Sequence, residues 1–226
     1  MGKKQKIFSP ELIINFIIKW FQSSWLDLLG IIWQAGKKVK QWLSPNGLYE
    51  VLEYEITLEL LDVEGQKAKV QKRQKVRYLQ DNIIAFQDQS WGDGEILKNY
   101  RCSPGKPVDQ YRTGHKTYTL ISLREEKNKG DTDEYLIQWD WKNGFLASTG
   151  YWATKINHRT NKVIVKVIFP KRRPPTRWWI STSNYKQFSL LSSDTLTSLP
   201  DGRWSIKWEL HYPKLFGNYI LKWEWC

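Results

Sequence analysis

The chain has 226 residues, 41% hydrophobic and 15% aromatic with 14 Trp, and it carries a formal charge of +12. That apolar content excludes a disordered chain, and the charge favours anionic partners: nucleic acid, acidic lipid head groups or a phosphorylated small molecule. Two cysteines, Cys102 and Cys226, supply neither a disulfide framework nor a zinc-ligand spacing, and they read as free thiols in a reducing compartment.

The first residues, "MGKKQKIFSPELIINFIIKWF", place basic side chains before an apolar run, but no small-residue cleavage pattern follows, so a retained segment is expected. Across "NFIIKWFQSSWLDLLGIIWQAGKKVKQWL", residues 15–43, Asn15, Lys19, Gln22, Ser23, Asp27, Gln34, Lys37, Lys38 and Gln41 recur at three- and four-residue steps on one stripe. Ser9-Pro10-Glu11 forms a start signal and "SPNG" at 44–47 a stop, which predicts a helix over residues 10–43, weakened at Ser23-Ser24 and Gly30. Its polar side is the minority, so its apolar surface needs cover from the protein's own body, from a bilayer or from copies of the chain. Lys19 and Asp27 oppose a lone spanning helix. Trp20, Trp25 and Trp33, with the cluster Lys37, Lys38 and Lys40, suit a segment held at anionic head groups or in self-association.

From Leu48 the hydrophobic period falls to two. Leu48, Leu52, Tyr54, Ile56, Leu58 and Leu60 alternate with Glu53, Glu55, Thr57 and Glu59, predicting a strand with one wet face. In "QKAKVQKRQKVRYLQ", Ala68, Val70, Val76 and Tyr78 take the inner phase, whereas Lys67, Lys69, Arg73, Lys75 and Arg77 take the outer one. An acidic strand beside a basic one gains cross-strand charge pairs.

Residues 90–116 carry no strand pattern and are expected to form a long loop. The loop holds Asp93, Glu95, Cys102, Asp109, Arg112 and His115. A Cys102–His115–Asp109 nucleophile matches no cysteine-hydrolase pattern or spacing, and Asp93 and Glu95, flanking Gly94, read as solvated turn carboxylates, so no catalytic residue, metal or cofactor is assigned. Strand patterns resume at "TYTLISLREE", "EYLIQWDW", "YWATKINH", "KVIVKVIFP", "RWWISTS", "RWSIKWELHY" and "NYILKWEW", separated by turn signals such as "NKGD", "KNG" and "LPDG". The expected fold is mainly β: an antiparallel barrel or two-sheet sandwich of about 8–10 strands over residues 46–226, preceded by the helical segment 1–45. Trp204, Ile206, Trp208, Leu210 and Tyr212, with Tyr219, Leu221, Trp223 and Trp225, are expected to form one Trp-rich wall of a final hairpin.

Within "FPKRRPPTRWW", residues 169–179, Lys171, Arg172, Arg173 and Arg177 crowd beside Trp178 and Trp179. Guanidinium forks and ring faces suit an anion carrying a flat group, while a charged turn whose tryptophans enter the core explains the same residues structurally. An apolar N-terminal segment followed by a compact β domain is similar to small membrane effectors of bacterial anti-phage signalling. The likeness lies in the order of parts and implies ligand-gated action on a membrane. The expectation is therefore a non-enzymatic protein, peripheral on the cytoplasmic face of a membrane or self-assembling, whose β domain docks an anionic ligand, a nucleotide or a protein. The alternative is a soluble nucleic-acid-binding β module.

Overall fold

Alternation in the sequence becomes fourteen strands in the computed structural model, which describes residues 47–182 and 188–225. They are β1 (Tyr49–Leu60), β2 (Lys67–Tyr78), β3 (Ile83–Ser90), β4 (Glu95–Ser103), β5 (Lys106–Thr113), β6 (Lys116–Lys127), β7 (Thr132–Lys142), β8 (Thr149–Lys155), β9 (Lys162–Phe169), β10 (Pro175–Thr182), β11 (Phe188–Leu190), β12 (Leu196–Ser198), β13 (Trp204–His211) and β14 (Asn218–Trp225). The helix expected over residues 10–43, with Trp20, Trp25, Trp33, Lys37, Lys38 and Lys40, lies outside the described residues.

The strands form three open sheets: β12-β13-β9-β1-β2-β7-β4, β11-β10-β14-β8 and β3-β6-β5. The mainly β expectation holds, but none of the sheets closes into the expected barrel, and the strands exceed the expected eight to ten. The physical reason lies in how β1 is used. It pairs antiparallel with β2 through an acidic-on-basic register that includes Glu55↔Arg73 and Glu59↔Lys69, and parallel with β9 from Tyr54↔Val163 to Glu59↔Ile168. The parallel pair brings together distant segments, which short hairpin connections alone do not do. It also parts the expected final hairpin. β13 pairs with β9 and β12, whereas β14 pairs with β10 and β8, so the tryptophans expected on one wall stand in two sheets. Trp223 and Trp225 are buried, Trp204 and Trp208 are half-buried, and Tyr212 is exposed.

A register shift between Val51 and Glu53 changes the phase of β1, so Tyr49 and Val51 are buried before the shift and Ile56, Leu58 and Leu60 after it. The expected loop at 90–116 is instead two strands, β4 and β5. Leu97 and Asn99 adopt positive φ of 60° and 53°, the β4 register slips on either side of Lys98, and every residue of β5 is exposed. Both are sheet-edge strands with little buried face, which removes the apolar alternation that marks a strand in sequence.

Ile56, Leu58, Val70, Tyr135, Ile137, Phe169, Ile206, Leu221 and Trp223 are the heart of the core of the β unit, Leu48–Cys226. Gly150 is required there, because a Cβ at this position would lie 2.5 Å from the Trp223 ring. No helix among the described residues is long and apolar enough to cross a membrane.

Candidate functional site

The basic turn joins β9 to β10, and its cations divide between structural and open roles. The Arg173 guanidinium lies 3.7 Å from the centroid of Trp225 and donates from Nη1 to the Val63 carbonyl at 2.6 Å. A cation on an indole face with a carbonyl acceptor is held in place, so Arg173 fastens the turn to the core. Lys171 and Arg172 project as exposed side chains from that fastened turn. Arg177 faces Glu224 at 3.7 Å in an exposed pair, which holds it weakly.

Trp178 and Trp179 part to opposite faces of the four-stranded sheet. Trp178 lies in register with Trp223, packs against the core and donates its Nε1–H to Thr195 Oγ1 at 2.8 Å. Trp179 lies in register with Leu190 on β11 and Lys222 on β14, and Lys222 is in turn opposite Tyr151 on β8. One row across the outer face therefore reads Leu190, Trp179, Lys222, Tyr151. Leu190 is 63% and Tyr151 50% exposed and Trp179 and Lys222 are half-buried, while Ser181 and Ile220, two positions along on the same face, are buried. The row is apolar and aromatic with one cation, and Arg177 stands beside it.

A second constellation, unforeseen in the sequence, lies between the seven- and three-stranded sheets. Lys72 on β2 and Asp88 on β3 pair at 2.5 Å with side chains only 5% and 4% exposed. Tyr100 donates its hydroxyl to the other Asp88 oxygen at 3.0 Å, and the Lys72 ammonium also donates to the Gln89 carbonyl at 3.3 Å. Trp139 closes the group, its ring centroid 5.4 Å from Lys72 Nζ. Burial opposes the Lys72 charge, yet the Asp88 carboxylate overrules it and holds the ammonium above the ordinary lysine range. Burial and the Asp88 charge both push the Tyr100 phenol upward. Two signals in sequence could have found the pair: Lys72 occupies the inner phase shared by Val70 and Val76, and Asp88 the inner phase shared by Phe86.

The candidate catalytic groups of 90–116 are spread over β4, β5 and the β5–β6 turn. Burial and the neighbouring Asp88 charge push the Cys102 thiol up, opposite to what a nucleophilic thiolate requires. His115 is exposed in the β5–β6 turn and Asp109 exposed on β5. The Glu95 carboxylate accepts from Lys98 at 3.1 Å, and the Asp93 carbonyl accepts from the Trp141 indole N–H at 2.6 Å. His158 stacks on Tyr49 with centroids 4.3 Å apart, and burial lowers its pKa. His211 is bonded to Glu209 at 2.8 Å on the seven-stranded sheet.

Acidic side chains concentrate on that sheet's outer face, where they are met by cations. Arg73 pairs with Glu53, Glu55 and Glu134, Arg203 with Glu59, and Lys162 and Lys207 with Glu209. These pairs neutralise part of the sheet's charge, while Lys67, Lys69 and Lys75 on β2 stay exposed. Open cations remain at the basic turn and near the β5–β6 turn, where Lys116 stands over Trp91 at 5.5 Å from the ring centroid.

No family model matches the sequence, and none of the curated proteins does. Among solved structures, the chain is similar to the M1 zinc metallopeptidase from Deinococcus radiodurans, at 10% identity over 76% of this chain and 42% of that one with a TM-score of 0.48. It is similar also to a variant of a two-domain M1 zinc metallopeptidase bound to L-arginine, at 11% identity with the same coverage and TM-score. The chain spans less than half the length of these neighbours.

Proposed function

We propose that the protein is a non-enzymatic, peripheral membrane-binding protein whose β unit docks on an anionic lipid surface. The observation that carries this reading is the outer row Leu190, Trp179, Lys222, Tyr151, with Arg177 beside it and the fastened turn bearing Lys171 and Arg172 at one end of β10. The exposed Leu190 and Tyr151 and the half-buried Trp179 suit the head-group boundary, and nearby cations add roughly 1 kcal/mol each toward an anionic leaflet. A turn fastened by Arg173 presents its open cations without a large loss of side-chain and backbone freedom on binding.

The N-terminal segment, with Trp20, Trp25, Trp33, Lys37, Lys38 and Lys40, is the second contact in this reading, to the same surface or to copies of the chain. Two weak signals on one molecule give stable anchoring where one gives marginal binding. A cytoplasmic leaflet supplies the anionic lipid. The anti-phage part order adds ligand control of the N-terminal segment to the same reading.

Flotation of the full chain with vesicles containing phosphatidylserine, beside vesicles of phosphatidylcholine alone, tests the proposal. Co-flotation with the anionic vesicles that weakens as salt rises supports it. The alternative, a nucleic-acid-binding module, relies on the same open cations with Tyr151 and Trp179 as stacking faces. A salt-dependent shift of single-stranded RNA or DNA with no flotation would favour that alternative.

A further inference from the structure

The connection between β13 and β14, residues 212–217, lifts two aromatic side chains off the β unit. Tyr212 is 79% and Phe216 71% exposed, the two highest values for a large hydrophobic side chain among the described residues. Both sit in the left-handed backbone region, at φ of 49° and 63°. A bulky residue there is strained, whereas Asn or Gly adopts the same backbone at little cost. Neither ring is buried, so core packing is not what the strain secures.

The loop is nonetheless fixed. Pro213 is buried and Leu215 packs against the core, in alternation with the exposed Tyr212, Lys214 and Phe216. Tyr212 donates its backbone N–H to the Asn161 carbonyl at 2.7 Å, and Phe216 donates to the Ile156 carbonyl at 2.8 Å. Ile156 in turn donates to the Gly217 carbonyl at 2.9 Å, and the Tyr219 hydroxyl accepts from the Lys214 N–H at 3.0 Å. Gly217 is what permits so tight a turn, since a Cβ there would lie 2.7 Å from the Lys214 carbonyl oxygen. These bonds tie the loop to the β8–β9 connection, which is itself tied to β1, where Val51 donates to the Arg159 carbonyl at 2.8 Å and accepts from Asn161 at 2.9 Å. Rings held on a loop of this kind lose little freedom when a partner covers them.

The charge around the tip has one sign. Lys214 stands between the two rings, and the adjoining connection contributes Arg159 and Lys155, the latter in register with Asn218; all three are exposed. Neither 155–162 nor 212–218 contains an Asp or Glu. The acid closest in sequence to the loop, Glu209, already takes Lys162, Lys207 and His211. Aromatic rings among cations, without acids, match the boundary of an anionic bilayer, where rings lie at head-group level and cations meet phosphate. Side chains this exposed stand clear of the surrounding surface and build no walled pocket of the kind that anchors a protein partner.

We propose that the 212–217 loop is a second lipid-contacting element, which places Tyr212 and Phe216 in the head-group boundary of an anionic bilayer with Lys214, Arg159 and Lys155 on the phosphates. The inference rests on the membrane reading of the β unit and adds to it a site built from different residues. The tip adjoins the start of β14 and the basic turn its end, since Asn218 is opposite Lys155 and Trp225 opposite Pro175. The length of the strand sets the two about 25 Å apart. Two contacts so separated on one compact unit fix its orientation on the surface and strengthen each other.

Flotation of the full chain with phosphatidylserine vesicles, wild type beside a Tyr212→Asn and Phe216→Asn double variant, tests it. Asn accepts the left-handed backbone, so the variant should melt no lower than the wild type. Its partition constant should fall about tenfold or more, and the loss should persist at high salt because it is apolar. Phe216→Trp, which keeps a large ring, should partition as the wild type does. Lys214→Ala should weaken partition about fivefold at low salt and less as salt rises. Should the double variant melt early, the two single Asn variants, each expected to lose about threefold, carry the same test. Flotation undiminished in the folded Asn variants overturns this contact alone and leaves the basic turn standing. A wild-type chain that does not float removes the membrane reading and this contact together. Sedimentation showing self-association that the Asn variants abolish, with partition unchanged, assigns the rings to a second copy of the chain and overturns the proposal.

Discussion

Breaking the Lys72–Asp88 pair one partner at a time, and then removing both, separates the cost of an orphaned buried charge from the net worth of the pair. Both side chains are nearly sealed from solvent and 2.5 Å apart. Lys72→Met leaves the Asp88 carboxylate with the Tyr100 hydroxyl as its remaining partner, and Asp88→Leu leaves the ammonium with the Gln89 carbonyl. Each single substitution should cost about 3–5 kcal/mol, which lowers the melting temperature of a domain of this size by about 6–20 °C. Replacing both, with Lys72→Met and Asp88→Leu, removes the two charges together and should fall near neutral or stabilise by roughly 1–4 kcal/mol. Urea denaturation of the four proteins gives the coupling energy, expected to be several kcal/mol. Alkaline titration adds a second check. The folded Lys72 pKa stands above the ordinary 10.5, so the pair's contribution is complete below that pH and is lost as pH rises through the folded value. Single variants as stable as the wild type, or additive losses in the double variant, would refute the account of a buried, mutually dependent pair.

Arg173→Ala should cost about 1–3 kcal/mol of stability in thermal melting, because it loses both the Trp225 face and the Val63 carbonyl, whereas Arg172→Ala should change stability by less than about 0.5 kcal/mol. Trp178→Ala should destabilise by roughly 3–5 kcal/mol, as truncation of a core-packed indole does, and Trp179→Ala should cost clearly less while reducing vesicle binding. Glu209 accepts from Lys162, His211 and Lys207 and is held at about 2, so its interactions contribute to stability above the ordinary 4.5 and are lost as pH falls through about 2. A carboxyl titration by nuclear magnetic resonance should show that low value, and Lys162→Met should move it toward 4.5; an unmoved value would detach Glu209 from Lys162.

Strands with one buried and one wet face were legible from the sequence, since β1, β2 and β7 carry the apolar alternation that burial demands, while β9 shows as a near-continuous apolar run. The acidic-on-basic pairing of β1 with β2 was legible for the same reason: charge sign alternates between neighbours that must sit side by side. The parallel registry of β1 with β9 was not, because Tyr54 and Val163 are far apart in sequence and alternation says nothing about partner choice. Edge strands β4 and β5 were hidden by their exposure, which frees Lys106, Asp109 and Arg112 from any pattern. At the basic turn, sequence grouped Arg173 with its neighbours by charge. Only the fold brings Trp225 beneath it and so separates a structural arginine from open ones.

The most direct measurement of membrane docking is the partition of the full chain onto phosphatidylserine vesicles, compared with a Lys171→Ala and Arg172→Ala double variant over a range of salt. Both side chains are exposed on the fastened turn, so the variant should melt with the wild type. At about 1 kcal/mol per cation near an anionic surface, its partition constant should fall about thirtyfold at low salt, with the gap narrowing as salt screens the lipid charge. Equal partition of the two proteins, or partition that ignores salt and lipid charge alike, would contradict docking through this turn.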